Sequence, residues 1–163
     1  MEKTAELAGY WAAQALTLAA EAHSPLIPLF AVEDKAGECR LVQIAKDRIE
    51  ESAAEGVKWL DTNPFEAARA VLIYEAFFTL GSDRMDALIV DARLYVEKPS
   101  QLKLALPYRA PSSPQGFAIH RPKVLQVPNS PAEVQAIMGA FMRGVARHEK
   151  GNELWKARMD RSK

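Results

Sequence analysis

Apolar residues recur every three or four positions across residues 4–23. Ala8, Trp11, Ala12, Ala15, Leu18, Ala19 and Ala22 form one stripe there, which predicts a helix. Ser24-Pro25 is expected to close it, because the residue before a proline is pushed out of the α region. Residues 26–33 and 38–44 are rich in strand formers and flank Asp34-Lys35-Ala36-Gly37, which predicts a hairpin. Pro28 has no amide hydrogen for a ladder, so the first of these strands is expected at an edge near its start. A second helix is predicted over 47–60 by Ile49, Ala53, Val57 and Leu60, with Asp47 and Glu50 as an acidic variant of the capping box.

Residues 67–96 are the most apolar and most strand-like part of the chain, and read as two strands joined by a turn. On the first, Leu72, Tyr74, Ala76, Phe78 and Leu80 share one face, and Arg69, Val71, Ile73, Glu75, Phe77 and Thr79 share the other. On the second, Leu88, Val90, Ala92 and Leu94 alternate with Ile89, Asp91, Arg93 and Tyr95. Register decides which rows meet. A two- or four-residue loop sets Asp91 and Arg93 beside Leu72 and Tyr74, whereas a three- or five-residue loop aligns the two apolar rows. Burying charge beside a core is costly unless it is paired, so the odd loop is expected, with Gly81 supplying a positive φ.

Alternation continues through Leu102, Leu104, Leu106 and Tyr108. After the loop 110–116, residues 117–125 predict a further strand with Phe117 and Ile119 on the core side and His120 on the other. Ser130-Pro131-Ala132-Glu133 combines an N-cap serine, a proline at the first helical position and a capping-box glutamate. Val134, Ile137, Met138, Phe141, Met142 and Val145 form the stripe of the helix that follows, and Gly151-Asn152 reads as its stop. Residues 152–163 are expected to be a short helical extension or a tail. The element order αββαββββα predicts a single α+β domain over 1–163. Its expected form is two-layered: a mostly antiparallel sheet of about six strands, with three amphipathic helices packed on one face.

Composition adds limits. A chain of 163 residues, 48% of them hydrophobic, can bury one substantial core without staples. Its formal net charge of zero removes any global electrostatic case for nucleic acid or acidic membranes. Charge is uneven along the chain, however. Residues 1–66 hold twelve acidic and six basic residues, and residues 143–163 hold three acidic and seven basic, which points to complementary packing or solvation of the two ends. Cys39 is the only cysteine, so no internal disulfide forms and a reducing, cytoplasmic setting is expected. The first residues lack the pattern of a signal peptide, and no run approaches the roughly 20 apolar residues of a membrane span.

Candidate chemistry falls on the charged row. If helices cover the leucine face, the opposite face collects Arg69, Glu75, Asp91, Arg93, Tyr95, Lys103, Arg109 and His120. Glu75 and Asp91 would then be diagonal neighbours, the raw material of general acid–base work with His120. Arg69, Arg93, Tyr95 and Arg109 would bind a ligand. The bland alternative is a solvated sheet face laced with weak ion pairs. Val71, Ile73, Phe77 and Ile89 interleave these charges, making the face apolar enough to expect cover by a protein partner or a second copy of the chain. His23, His120 and His148 are far apart, so no metal site is expected, and no motif implies a cofactor. The basic residues from Arg143 onward have Trp155 as their sole aromatic, which argues against single-strand nucleic-acid binding. The leading expectation is a non-catalytic binding or protein-interaction domain, self-associating through the mixed sheet face. The alternative is a small hydrolase- or isomerase-like enzyme using Glu75, Asp91 and His120.

Overall fold

A computed structural model describes residues 1–21, 25–127 and 131–163. It comprises α1 (Glu2–Glu21), β1 (Leu29–Glu33), β2 (Cys39–Val42), α2 (Ile49–Thr62), β3 (Arg69–Leu80), β4 (Asp83–Leu94) and β5 (Ser100–Arg109). These are followed by β6 (Ala118–Ile119), β7 (Lys123–Gln126), α3 (Pro131–Arg147) and α4 (Glu149–Arg158). The strands form one antiparallel sheet in the order β2-β1-β3-β4-β5-β6, with β7 also paired to β5. The α+β class with an antiparallel sheet is as the sequence predicts. Pro128, Asn129 and Ser130, and with them the expected N-cap of α3, lie outside the described residues, as do Ala22, His23 and Ser24 at the expected end of α1.

The loop between β3 and β4 differs from expectation. Leu80 pairs with Asp83, so only Gly81 and Ser82 separate the strands. Gly81 has φ +63°, and Ser82 is not among the positive-φ residues, the pattern of a type II′ hairpin turn. This even loop sets Leu72 opposite Asp91 and Ile73 opposite Val90, the reverse of the row pairing expected above. The even loop is tolerated because the buried Asp91 is paired, as described below.

The consequence is a sheet covered on both sides, where helices on one face were expected. Val71, Ile73, Leu88, Val90, Ala92, Leu102, Leu104 and Leu106 join α1 and α3 in the larger core. Phe30, Val32, Ala70 and Leu72 join Leu60, Val57 and Trp59 of α2 in a second core on the other side. Gly56 brings α2 close, since a Cβ there would lie 2.5 Å from Leu72 Cδ1. The strand count is seven because Arg121 and Pro122 interrupt the run 117–125, leaving β6 and β7 as separate short strands.

α1 lies between the sheet and the C-terminal helices, and its alanine stripe makes this burial work. Ala5, Ala8, Ala12, Ala13 and Ala15 are all fully buried. A Cβ on Gly9 would lie 1.9 Å from the Phe141 carbonyl oxygen, and one on Gly144 would lie 1.9 Å from that of Glu6, so the two backbones touch through reciprocal glycines. Arg143–Glu2 at 3.1 Å and Arg147–Glu6 at 3.2 Å run alongside this seam, pairing part of the basic C-terminal region with the acidic N-terminal one. Two helix termini depart from expectation. Arg48 occupies the N-cap of α2 without a side-chain bond, so Asp47 and Glu50 form no capping box. Gly151 and Asn152 do not stop a helix but lie inside α4, whose N-cap His148 accepts from the Gly151 amide at 2.9 Å.

Candidate functional site

Parity distributes the sequence-predicted residues over two faces. Asp91 lies on the α2 side, 2% exposed, and its carboxylate meets Arg93 Nε at 3.1 Å, Gln101 Nε2 at 2.9 Å and Lys103 Nζ at 3.8 Å. Arg93 reaches on to Asp61 of α2 at 3.3 Å. The Tyr95 hydroxyl donates to the Leu60 carbonyl at 2.6 Å, and burial pushes its pKa up to about 12. Asp91, Arg93 and Tyr95 therefore tie the end of α2 to the sheet. Their hydrogen bonds are the pairing that makes a buried aspartate tolerable. Arg69 pairs with Glu33 on the α1 side, locking β3 to β1.

Glu75 also faces the α1 side, beside Leu88. Its carboxylate accepts from the Leu26 amide at 2.9 Å and from the Tyr108 hydroxyl at 2.7 Å. The acid–base pair of Glu75 and Asp91 is not brought together, since the sheet lies between them. Burial and the Glu75 carboxylate both push the Tyr108 hydroxyl well above the usual phenol range, so it stays a donor. Asp86, opposite Tyr108 on β4, is raised as well, first by burial and then by Glu75.

The other two predicted residues, Arg109 and His120, meet in a cleft of about 690 Å³. It opens where β5 ends: Asp86 pairs with Tyr108, but Asp83–Met85 continue beyond the end of that pairing. Arg84, Asp86, Tyr108, Ser112, Ser113, Asp160 and Lys163 also contribute to its walls. The loop 110–116 is shaped by two successive turns and by Arg109 Nε donating to the Gly116 carbonyl at 2.8 Å. The C-terminal segment closes the far side. Met159 bridges to Ile119, the Asp160 amide donates to the Ile119 carbonyl, and Lys163 reaches Asp83 at 2.6 Å.

Charges in this cleft are mostly matched in pairs. Arg109 meets Asp160 at 3.5 Å, and hydrogen bonding with Ser162, followed by the electrostatic influence of His120 and Arg109, holds the Asp160 carboxyl below the usual range. Asp83 is likewise held down by Lys163. His120 is 2% exposed, and its Nδ1 has no hydrogen-bond partner among the described residues. A buried ring nitrogen left in that state costs roughly 1–3 kcal/mol.

Sequence reasoning found Arg109 and His120 but missed Arg84, Asp86, Asp160 and Lys163. Those come from the hairpin tip and the chain terminus, segments with no sequence signal linking them. The two-residue loop did have one, the Gly81-Ser82 dipeptide. Among the described residues no group of three His, Cys, Asp or Glu side chains could hold a metal, and no helix is long and apolar enough to cross a membrane. No protein-family model, curated protein or solved structure matches this chain.

Proposed function

We propose that this chain is a non-catalytic binding domain whose ligand sits in the cleft between the ends of β4 and β5, the loop 110–116 and the C-terminal segment. The observation that carries the reading is the lining of that cleft, where the nearly buried His120 lies with Arg84, Tyr108, Ser112 and Ser113. A concave site with a few convergent polar groups is the usual form of a small-ligand site. Catalysis is not favoured, because the carboxylates are already engaged. Glu75 is held by Tyr108 and Leu26, Asp91 by Arg93 and Gln101, and Asp160 by Arg109. The His120 ring makes no side-chain hydrogen bond to a serine or carboxylate among the described residues, so no nucleophile–base pair is preassembled. An amide-resolved NMR screen of small polar compounds tests this. Hits should move the resonances of Arg84, Ala110, Gln115, His120 and Ser162 and be recovered unchanged. Turnover of a hit, or hits that all map elsewhere, would overturn the reading.

A second reading, a docking surface for a protein partner or a second copy, is favoured by one further observation. β2 is an edge strand, and beside it an apolar groove of about 760 Å³ leaves Ile27 59% and Leu41 49% exposed. An open edge beside apolar side chains suits addition of a strand. Sedimentation should then report association that Leu41→Lys abolishes. A wild-type chain that stays monomeric at high concentration removes the self-association form of this reading.

A further inference from the structure

We infer that the cleft holds its ligand through a negatively charged group, a phosphate or a carboxylate, with the Arg84 guanidinium as its principal contact. This inference rests on the binding-domain reading above and names the ligand chemistry.

Arg84 is the cation that the fold leaves over. Among the described residues the other basic groups of the cleft have acidic partners, Arg109 with Asp160 and Lys163 with Asp83. Arg84 has no ion pair among the described residues. Instead its guanidinium stacks on the ring of Phe77, 3.9 Å from the centroid. That stack fixes the plane of the guanidinium and leaves its edge N–H groups free, the geometry that suits a two-pronged oxyanion contact. Phe77 itself is 66% exposed, so the stack belongs to the surface of the hairpin and not to the core.

The remaining surroundings favour the same sign. Ser112 lines the cleft with a hydroxyl that has no hydrogen-bond partner among the described residues. Ser113 Oγ accepts from the Gln115 amide at 3.4 Å, leaving its proton to donate. Asp86 is the one acidic group of the cleft without a basic partner among the described residues. Burial and the nearby Glu75 disfavour its charged form, so its opposition to an anion is weakened. A cationic ligand would meet Arg84, Arg109 and Lys163 with only Asp86 uncommitted.

The test is an NMR titration of the full chain with sodium phosphate and, separately, sodium acetate, against sodium chloride at matched ionic strength and glycerol as a neutral probe. Saturable shifts at Arg84, Asp86, Ala110, Ser113, Gln115 and His120 with either anion but not chloride are expected, and the better anion distinguishes phosphate from carboxylate. Arg84→Gln should weaken that binding by about tenfold, as loss of one charge-assisted hydrogen bond implies. Arg121→Gln, an exposed charge outside the cleft lining, should leave it unchanged. Equal shifts with chloride, or Arg84→Gln binding like the wild type, would overturn the inference. Shifts at the cleft with glycerol alone would overturn the anion assignment yet keep the binding-domain reading. An absence of cleft shifts with every probe, in the wider screen as well, would remove both.

Discussion

Gly144→Ala is expected to destabilise the protein, while Gly139→Ala, five residues earlier in the same helix, is expected to stabilise it. A Cβ at Gly144 would sit 1.9 Å from the Glu6 carbonyl oxygen and 2.9 Å from the Tyr10 amide nitrogen. Ordinary contact begins near 3.4 Å, so α1 and α3 would have to part by about 1.5 Å. Neither neighbour can rotate aside, because both belong to the backbone of α1. Separation loosens Ala5, Ala8, Ala140 and Phe141, all at 0% exposure. Overpacking of this kind costs about 3 kcal/mol at the upper end of its usual range. Replacing a helical glycine by alanine returns about 1 kcal/mol of propensity, for a net loss of roughly 2 kcal/mol. For a domain of this length about 3 °C accompanies each kcal/mol, so Tm should fall by about 6 °C. At Gly139 the nearest atom to a new Cβ is the flexible end of Arg143, 3.8 Å away, so the propensity gain of about 1 kcal/mol stands alone. Urea and thermal unfolding of the two variants measure both effects, with an unchanged m confirming that only stability moved. Equal stability of Gly144→Ala and wild type would refute the close helix crossing.

Three further outcomes follow from the sheet. Asp91→Ala removes the shared acceptor of Arg93, Gln101 and Lys103 and should cost about 3 kcal/mol by urea unfolding, where a surface residue would cost almost nothing. Tyr95→Phe leaves the Leu60 carbonyl without its donor and should cost about 1 kcal/mol, and ultraviolet titration of the wild type should show a phenol ionising near pH 12 that this variant lacks. Asp86 has a folded pKa above its unfolded value, so its contribution favours the folded state below the unfolded pKa and is lost as pH rises through the folded one. Asp86→Asn should therefore be more stable than wild type near neutral pH, with the difference vanishing in acid; a difference that grows in acid would reverse the sign of the reasoning.

Helices α1, α2 and α3 and most strands were legible because each shows a period that only one kind of element satisfies, whereas α4 runs through the Gly151-Asn152 pair that read as a stop. The leucine row of β5 is a clear case, with Leu102, Leu104 and Leu106 all fully buried against α1 and α3. What the pattern alone could not settle was a choice between two apolar rows on β3. Leu72 and Ile73 are both fully buried, each under a different helix, so alternation carried no information about which side faced solvent. A strand covered on both faces reads as a near-continuous apolar run, and the sequence 70–73 is one. Arg109 and His120 are expected from the alternation on a charged sheet face left open by the helices, but helices cover both faces. These two residues meet instead at the place where that sheet runs out, beside a chain terminus that nothing in the local pattern could bring there.

The two-residue turn at Gly81-Ser82 governs both the fold and the site. With one more residue between β3 and β4, Asp91 would share the face of Glu75 and the two carboxylates would be close neighbours on one side of the sheet. With the even loop, each carboxylate finds its own donors: Asp91 takes Arg93, Gln101 and Lys103, and Glu75 takes Tyr108 and the Leu26 amide. The same register carries Arg84 onto the Phe77 side of the ribbon, where the ring can hold its guanidinium. β5 has already ended at that level, so Arg84 borders an opening and not another strand. The choice that neutralises the sheet's acidic residues thus leaves one arginine without an acidic partner, at the mouth of the cleft that also holds His120.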